Sequence, residues 1–524
     1  MNIADKISLM LSAKSDIKQA IEDKGVDMTN VPFSSYATKI NEISGSTVLG
    51  LTQKEITEGG VYSWTTVDNS SASYVGKCAF KWCSNISRVS LPACKSIETG
   101  GFQRCTGLTT CAIPNCEYIG LYAFFDDTKL QWIALSKASV IGNNAFTNCS
   151  AIVQIALNNC QTVSSSAFHN CYTMSSIGST PLVEYVGMNA FKSCSALTVI
   201  DMPKCSAIGD GAFSAISNLE VISLPVCTSY GSSCLLPPDQ LNSYSKLRVL
   251  NLGGYVMSVA SSAFQSNSII KEVRLASCSN IYEYAFENCS SLQSIDLPVC
   301  SSIYAWAFSS CYTLQSVSLP NCEYISEGAF DRCSSLQSID LPKCGYIESW
   351  AFANCSSLQN VSLPVCETVG DRAFSYCYSL QNVSLPICST IGSWVFIYCS
   401  SLQSISLPMC STIGNTAFGW CSVLKSISLP VCETIGNAVF TRCRILQSIS
   451  LPMCSFIDDE AFKYCYSLKT ITVGTKLSKV CSLGGSSVFS DCSALTSIYV
   501  PSSLVNAYKS ASYWSSLSNK IKGI

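Results

Sequence analysis

The chain carries 33 cysteines and a single histidine, His169. From Cys278 to Cys465 a cysteine returns every 11 residues, 18 in succession. Thiols in such number could cross-link, hold metal or fill space. Cross-linking is disfavoured if the cysteines stack in register on neighbouring strands. Such strands lie about 4.8 Å apart, and in-register side chains keep that separation at Cβ. A disulfide wants a Cβ separation of about 3.8 Å, so every bridge would pinch the backbone. Metal binding wants clustered ligands of the C-x2-C kind with a partner pair. The tightest spacings here are Cys78 to Cys83 and Cys111 to Cys116. On the third reading the thiols are reduced, buried and structural, because cysteine packs as a small hydrophobe. Cys300, Cys311, Cys322 and Cys333 then belong to two inner ladders that fill tight corners without a hydrogen-bonding demand.

A second set of residues could do recognition chemistry. Two positions before successive phenylalanines stand Tyr284, Trp306, Gly328, Trp350, Arg372, Trp394, Thr416, Ala438 and Glu460. Two positions after them stand Asn288, Ser310, Arg332, Asn354, Tyr376, Tyr398, Trp420, Arg442 and Tyr464. Large aromatics interleaved with arginines are the composition of interface hot spots, and aromatic faces also stack on sugars. The candidate binding stripe is therefore Tyr284, Trp306, Arg332, Trp350, Arg372, Tyr376, Trp394, Tyr398, Trp420, Arg442 and Tyr464. The competing reading is that some of these rings lie flat over a chain corner as extra packing. The neighbouring strand positions are monotonous by comparison: Gln293, Ser294, Gln315, Ser316, Gln337 and Ser338.

Catalysis finds little footing. His169 occupies a repeat position and is the only conventional acid–base group near neutral pH. No G-x-S-x-G, P-loop or G-x-G-x-x-G occurs. Asp458, Asp459 and Glu460 read as a solvated turn. Net charge is −2, with no long Lys/Arg cluster, so nucleic acid is not an expected partner. No run approaches the roughly 18 apolar residues of a membrane span. Neither an enzyme nor a cofactor is expected.

The elements that place these residues follow from one period. Phe286, Phe308, Phe330, Phe352, Phe374, Phe396, Phe418, Phe440 and Phe462 stand 22 residues apart, as do Phe80, Phe102, Phe124, Phe146 and Phe168. A fixed period of this length predicts a solenoid in which each unit is one coil stacked on the next. In Ser291 to Tyr312, SLQSIDLPVCSSIYAWAFSSCY, the alternation around Ile295 and Leu297 is strand periodicity. Pro298 lacks an N–H and marks where pairing stops, so the sheet is expected to end along one straight edge. Phe308 plugs the core. Gly370, Gly392, Gly414 and Gly436 are expected to permit a tight bend four residues before their phenylalanines. The register slips between Phe168 and Phe191, between Phe213 and Phe264, around the insertion Leu235 to Leu241, and at Gly484 and Gly485.

The unit LxxIxLPxCxxIGxxAFxxCxS resembles the BspA-like class of leucine-rich repeats, from Lys77 to about Cys492. The resemblance implies a right-handed β-solenoid of about 19 coils of 22 residues, with a parallel sheet on one side. It also implies adhesion and protein recognition at microbial surfaces. Surface members of that class carry an export signal. Here Asp5, Lys6, Lys14 and Asp16 interrupt the first apolar residues, so export by the general secretory route is not expected.

Four segments result: residues 1–45, a helical module; 46–76, a linker and N-cap; 77–492, the solenoid; and 493–524, a C-terminal helical cap. Within the first, KSDIKQAIEDKGV (Lys14 to Val26) and PFSSYATKINEI (Pro32 to Ile43) resemble short N-terminal modules of bacteriophage tail and other virion proteins. That resemblance implies docking on virion proteins; the alternative is a cap on the first coil. The closing segment, YVPSSLVNAYKSASYWSSLSNKIKGI, resembles the end of BspA-like proteins. An amphipathic helix after Pro501 is expected to bring Leu504, Tyr508, Ala511 and Trp514 over the core. The functional expectation is a non-enzymatic adhesin on a phage tail or fibre that recognises a bacterial surface protein or glycan. The alternative is a BspA-like adhesin or scaffold at the bacterial cell surface.

Overall fold

The computed structural model describes residues 65–231, 233, 235 and 244–524. They fall into two compact units, one ending at Met174 and one running from Ser175 to Ile524. The expected helical module, residues 1–45, lies outside the described residues, as do the linker up to residue 64 and most of the Leu235–Leu241 insertion.

In both units the coils pair by parallel strands at a one-coil offset. In the first, Arg88–Ser90 pairs with Thr110–Ala112. In the second, Ser294–Asp296 pairs with Ser316–Ser318, setting Ile295 beside Val317. A single sheet on one side is not the whole structure. Each coil also carries a two-residue strand after its cysteine corner, such as Ser302–Ile303, which pairs with Tyr324–Ile325. The second strand was hidden because two residues carry too little alternation to register. It forms nonetheless because Ile303 is buried beside Ile325, as the longer strands bury their own aliphatics.

The longer strands stop one or two residues before the prolines, as Ser294–Asp296 does before Pro298 and Ser448–Leu451 before Pro452. The short strands from Ser258–Val259 to Ser482–Leu483 form one continuous ladder, whereas the longer strands part at three places. One parting lies between Asn382–Ser384 and Ser404–Ser406. There a shallow hollow of about 470 Å³ opens over the sheet, lined by Asp340, Asn360, Asn382 and Ser404 with Val361 and Ile405 among its apolar residues.

The phenylalanines form the spine of each unit. Rings from Phe80 to Phe168 stack with centroids 5.0–5.3 Å apart. In the second unit the stack from Phe264 through Phe462 to Phe489 continues at 4.9–5.7 Å, with planes within 19°. All nine phenylalanines from Phe286 to Phe462 are fully buried. The 22-residue period keeps each ring one strand spacing from the next, inside the range favourable for aromatic pairs.

The cysteines of the two ladders are buried, and their thiols donate hydrogen bonds. The 18 from Cys278 to Cys465 are buried and form no disulfide. In one ladder the thiol donates two residues ahead, as Cys300 Sγ does to the Ser302 carbonyl at 3.4 Å. In the other it donates back to the phenylalanine carbonyl of the preceding coil: Cys311 to Phe286 at 3.1 Å, Cys333 to Phe308 at 3.2 Å. A weak donor with a small desolvation cost suits a buried carbonyl that already accepts one amide.

The glycine expectation is also corrected. Gly370, Gly392, Gly414 and Gly436 are absent from the residues of positive φ, so the bend does not require a left-handed conformation there. Their role is close approach. A Cβ on Gly414 would stand 2.6 Å from the Gly392 carbonyl carbon and the Ser393 nitrogen of the coil beneath.

The C-terminus is not the helical cap the amphipathic pattern suggested. Only Val505–Ser510 is α-helical, flanked by 3-10 turns at Ser502–Leu504 and Ser515–Leu517. The chain then adds a last parallel strand, Ile521–Gly523, onto Ser497–Val500. Tyr508 and Trp514 are fully buried, whereas Leu504 and Ala511 stay half-exposed. Tyr508 accepts the Cys481 N–H on its hydroxyl, and Trp514 Nε1 donates to the Cys481 carbonyl at 2.7 Å. Those two bonds tie both buried rings to the backbone of the last cysteine rung and hold the segment against the core.

Candidate functional site

The stripe residues sit at one corner of each coil, and that corner has an unusual backbone. Both positions, two before and two after the phenylalanine, lie at φ between 54° and 63° from Tyr284 to Tyr464. The corner amides alternate. Trp306, Phe308 and Ser310 donate to the next coil, to Glu327, Ala329 and Asp331, while Ala307, Ser309 and Cys311 donate within their own coil. A continuous right-handed turn points every N–H the same way, so two left-handed residues per corner are what let it bond to its neighbour like a strand. Left-handed residues with a Cβ cost roughly 1–2 kcal/mol each. Thr416, β-branched at φ 56°, is the most strained type. Replacing it with Asn should therefore raise the unfolding free energy by about 0.5–1 kcal/mol. A urea titration of the Thr416→Asn variant checks this; a loss of stability would contradict it.

The side chains fall into two stacks and three outliers. Before the phenylalanines, the Arg372 guanidinium lies between the Trp350 and Trp394 rings, 4.6 Å from each centroid. After them, Tyr376 stacks on Tyr398 and Tyr398 on Trp420, each at 5.0 Å. Arg442 continues that row, 5.6 Å from Trp420 and 4.6 Å from Tyr464. Trp306 instead lies across Gly328, where an added Cβ would stand 2.3 Å from the ring. Tyr284, 39% exposed, and Arg332, drawn to Asp331 at 3.5 Å, belong to neither stack. The stacked residues are half-buried. Between the two rows Ser309, Ser375, Ile397 and Thr441 are buried, so the rows close over the corner.

The stacking bears on both readings of the stripe. The rings do pack, but along the solenoid, on each other or on an interposed arginine. What they offer outward is edges: phenol hydroxyls, indole N–H groups and guanidinium N–H groups. A periodic pattern could not show this, because whether a ring stacks on its neighbour or stands free depends on the coil spacing and the left-handed backbone.

Several features escaped the sequence reading. Asp127 occupies a cysteine rung, three residues after Phe124. It is fully buried; its Oδ1 accepts the Cys105 N–H at 2.6 Å while Oδ2 has no partner. Burial pushes its carboxyl well above the usual carboxylate range. In the first unit the corner row after the phenylalanines turns polar beyond Trp82: Arg104 lies 4.4 Å over Trp82 and pairs with Asp126, which accepts from Asn148. Beside the proline edge, Val365, Ile387, Met409 and Val431 form an exposed aliphatic row. Its signal was present as the residue between each Pro and Cys, a position whose direction only the coil decides. Among the described residues no group of His, Cys, Asp or Glu could hold a metal, and no helix is long and apolar enough to cross a membrane.

Five overlapping stretches from residue 63 to 521 match the family model described as BspA type leucine rich repeat region. The chain belongs to this leucine-rich repeat family. Similar solved structures include a leucine-rich repeat protein from Bacteroides ovatus, 22% identical, covering 74% of this chain and 88% of that one, TM-score 0.37. A leucine rich cell surface protein from Faecalibacterium prausnitzii is 22% identical, covering 60% and 86%, TM-score 0.29. The plant peptide hormone receptor RGFR1 in complex with RGF2 is 13% identical, covering 88% and 94%, TM-score 0.35. Scores this low carry nothing over about what this BspA-type repeat protein binds. No curated protein matches the chain significantly.

Proposed function

We propose that this repeat protein is a non-enzymatic adhesin that recognises a bacterial surface protein or glycan through the stacked aromatic and arginine corner of residues 350–464. One observation carries the reading. The coil framework is constant while the corner residues change from rung to rung, and they are held at strained left-handed positions where Gly or Asn would be more stable. Strain retained beside variable, hot-spot side chains is what a selected recognition surface requires. The proposal extends to placement on a bacteriophage tail or fibre through residues 1–45, which rests on the resemblance of Lys14 to Ile43 alone. Membership of the BspA-type family favours the second placement, at a bacterial cell surface. Tail or capsid genes beside this one would decide for the first.

The test is a pull-down of the full chain against intact bacterial envelopes. Trp306, Trp350, Trp394 and Trp420 are changed to Ala, with circular dichroism to verify the fold. Binding is expected to fall roughly tenfold or more. Undiminished binding by a folded variant would remove the corner from the recognition surface.

A further inference from the structure

The two sandwiched arginines restrict what the partner can be. Arg372 is fixed between Trp350 and Trp394, and Arg442 between Trp420 and Tyr464. Neither forms an ion pair among the described residues. Asp371, beside Arg372 in sequence, accepts the Ser393 N–H on Oδ1 at 2.7 Å, and Glu460, in the coil after that of Arg442, pairs with Lys463 at 2.6 Å. A guanidinium clamped by aromatic faces keeps its charge and its in-plane fork of donors, at little further loss of rotamer freedom. That fork matches a carboxylate or phosphate bidentately. The ring faces turned to the guanidinium are occupied, so a sugar cannot stack on those faces. The rungs also do not repeat: Trp, Arg, Trp, Thr, Ala and Glu follow one another before the phenylalanines from 350 to 460. A repeating polymer presents identical groups at each step, which an irregular row does not match.

We infer that the partner is a protein presenting at least two surface carboxylates, received by Arg372 and Arg442, with the Trp and Tyr edges packing around them. This rests on the corner being the recognition surface, and it narrows the partner from protein or glycan to an acidic protein patch. Half-exposed, pre-organised arginines of this kind also make association salt-dependent.

The test uses the full chain and the bacterial envelopes of the pull-down. Arg372→Gln with Arg442→Gln should lower binding roughly tenfold or more, while Arg372→Lys with Arg442→Lys should restore only part of it, since the planar fork is lost. Free poly-L-glutamate should compete, protease treatment of the envelopes should abolish binding, and periodate oxidation of their glycans should leave it. Binding that survives protease and is lost on periodate overturns the inference while leaving the corner as the recognition surface. So does a Gln pair that binds as the parent does when the four-Trp variant does not. A parent chain that binds no envelope removes the adhesin reading and this inference with it.

Discussion

Phe374→Ala should lower the unfolding free energy by about 3–5 kcal/mol, the cost of a cavity left by a fully buried aromatic ring. Phe374 is stacked between Phe352 at 5.4 Å and Phe396 at 5.7 Å, with no solvent exposure. Truncation removes both ring contacts, and the surrounding coils cannot collapse into the gap because their separation is set by strand pairing on both sides. Repeat arrays are stabilised by nearest-neighbour interfaces, so the loss should be local. Amides in the coils of Phe352, Phe374 and Phe396 should exchange faster than those around Phe286. Urea unfolding followed by hydrogen exchange measures both effects. A loss below about 1 kcal/mol, the range of an ordinary surface change, would show that the rings are not a shared spine.

Stability should fall steeply between pH 9 and pH 11. Burial raises the thiols of Cys278, Cys344 and Cys388 to about 11, and those of Cys300, Cys366 and Cys410 to about 12, from an ordinary value of 9.0. Because the folded values are raised, the folded chain holds protons that the unfolded chain has released. The stabilisation is complete below pH 9 and is lost as pH rises towards 11–12. At pH 10 each such thiol removes on the order of 1 kcal/mol, so the six together remove several kcal/mol. Burial moves the second ladder in the same direction, as at Cys355, Cys399 and Cys443. Circular dichroism and ultraviolet thiolate absorbance should therefore change together in one steep transition. Thiolate appearing gradually while the dichroism stays native would show that the ladders are open to solvent. At neutral pH the same burial makes these thiols slow towards alkylating reagents until the coils open.

Both predictions depend on side chains whose roles were differently legible. The spine could be read directly, because an invariant Phe at a fixed period has one physical solution, a stack of identical coils. The cysteines could be assigned to the interior by the same logic. Their bonds could not, since a donor finds the carbonyl of Phe286 only when the coil holding Cys311 is laid upon it. The two-residue strands such as Ser302–Ile303 were invisible for lack of length. The glycine before each of four phenylalanines was attributed to a bend, when the backbone beneath Gly414 is what forbids a Cβ.

At the corner the division is sharper. Sequence by itself determined that the chain repeats, that Phe and Cys face inward, and that Tyr, Trp and Arg vary at two positions per coil, because periodicity is a property of the linear string. Only the tertiary structure decided that those positions are left-handed, that Arg372 is clamped while Arg332 is not, and that aromatic faces pack on one another or on the two arginines. It also decided that the last segment ends in a strand. These depend on the distance and rotation between successive coils, which no single unit encodes and which emerge only when one turn of chain packs against the next.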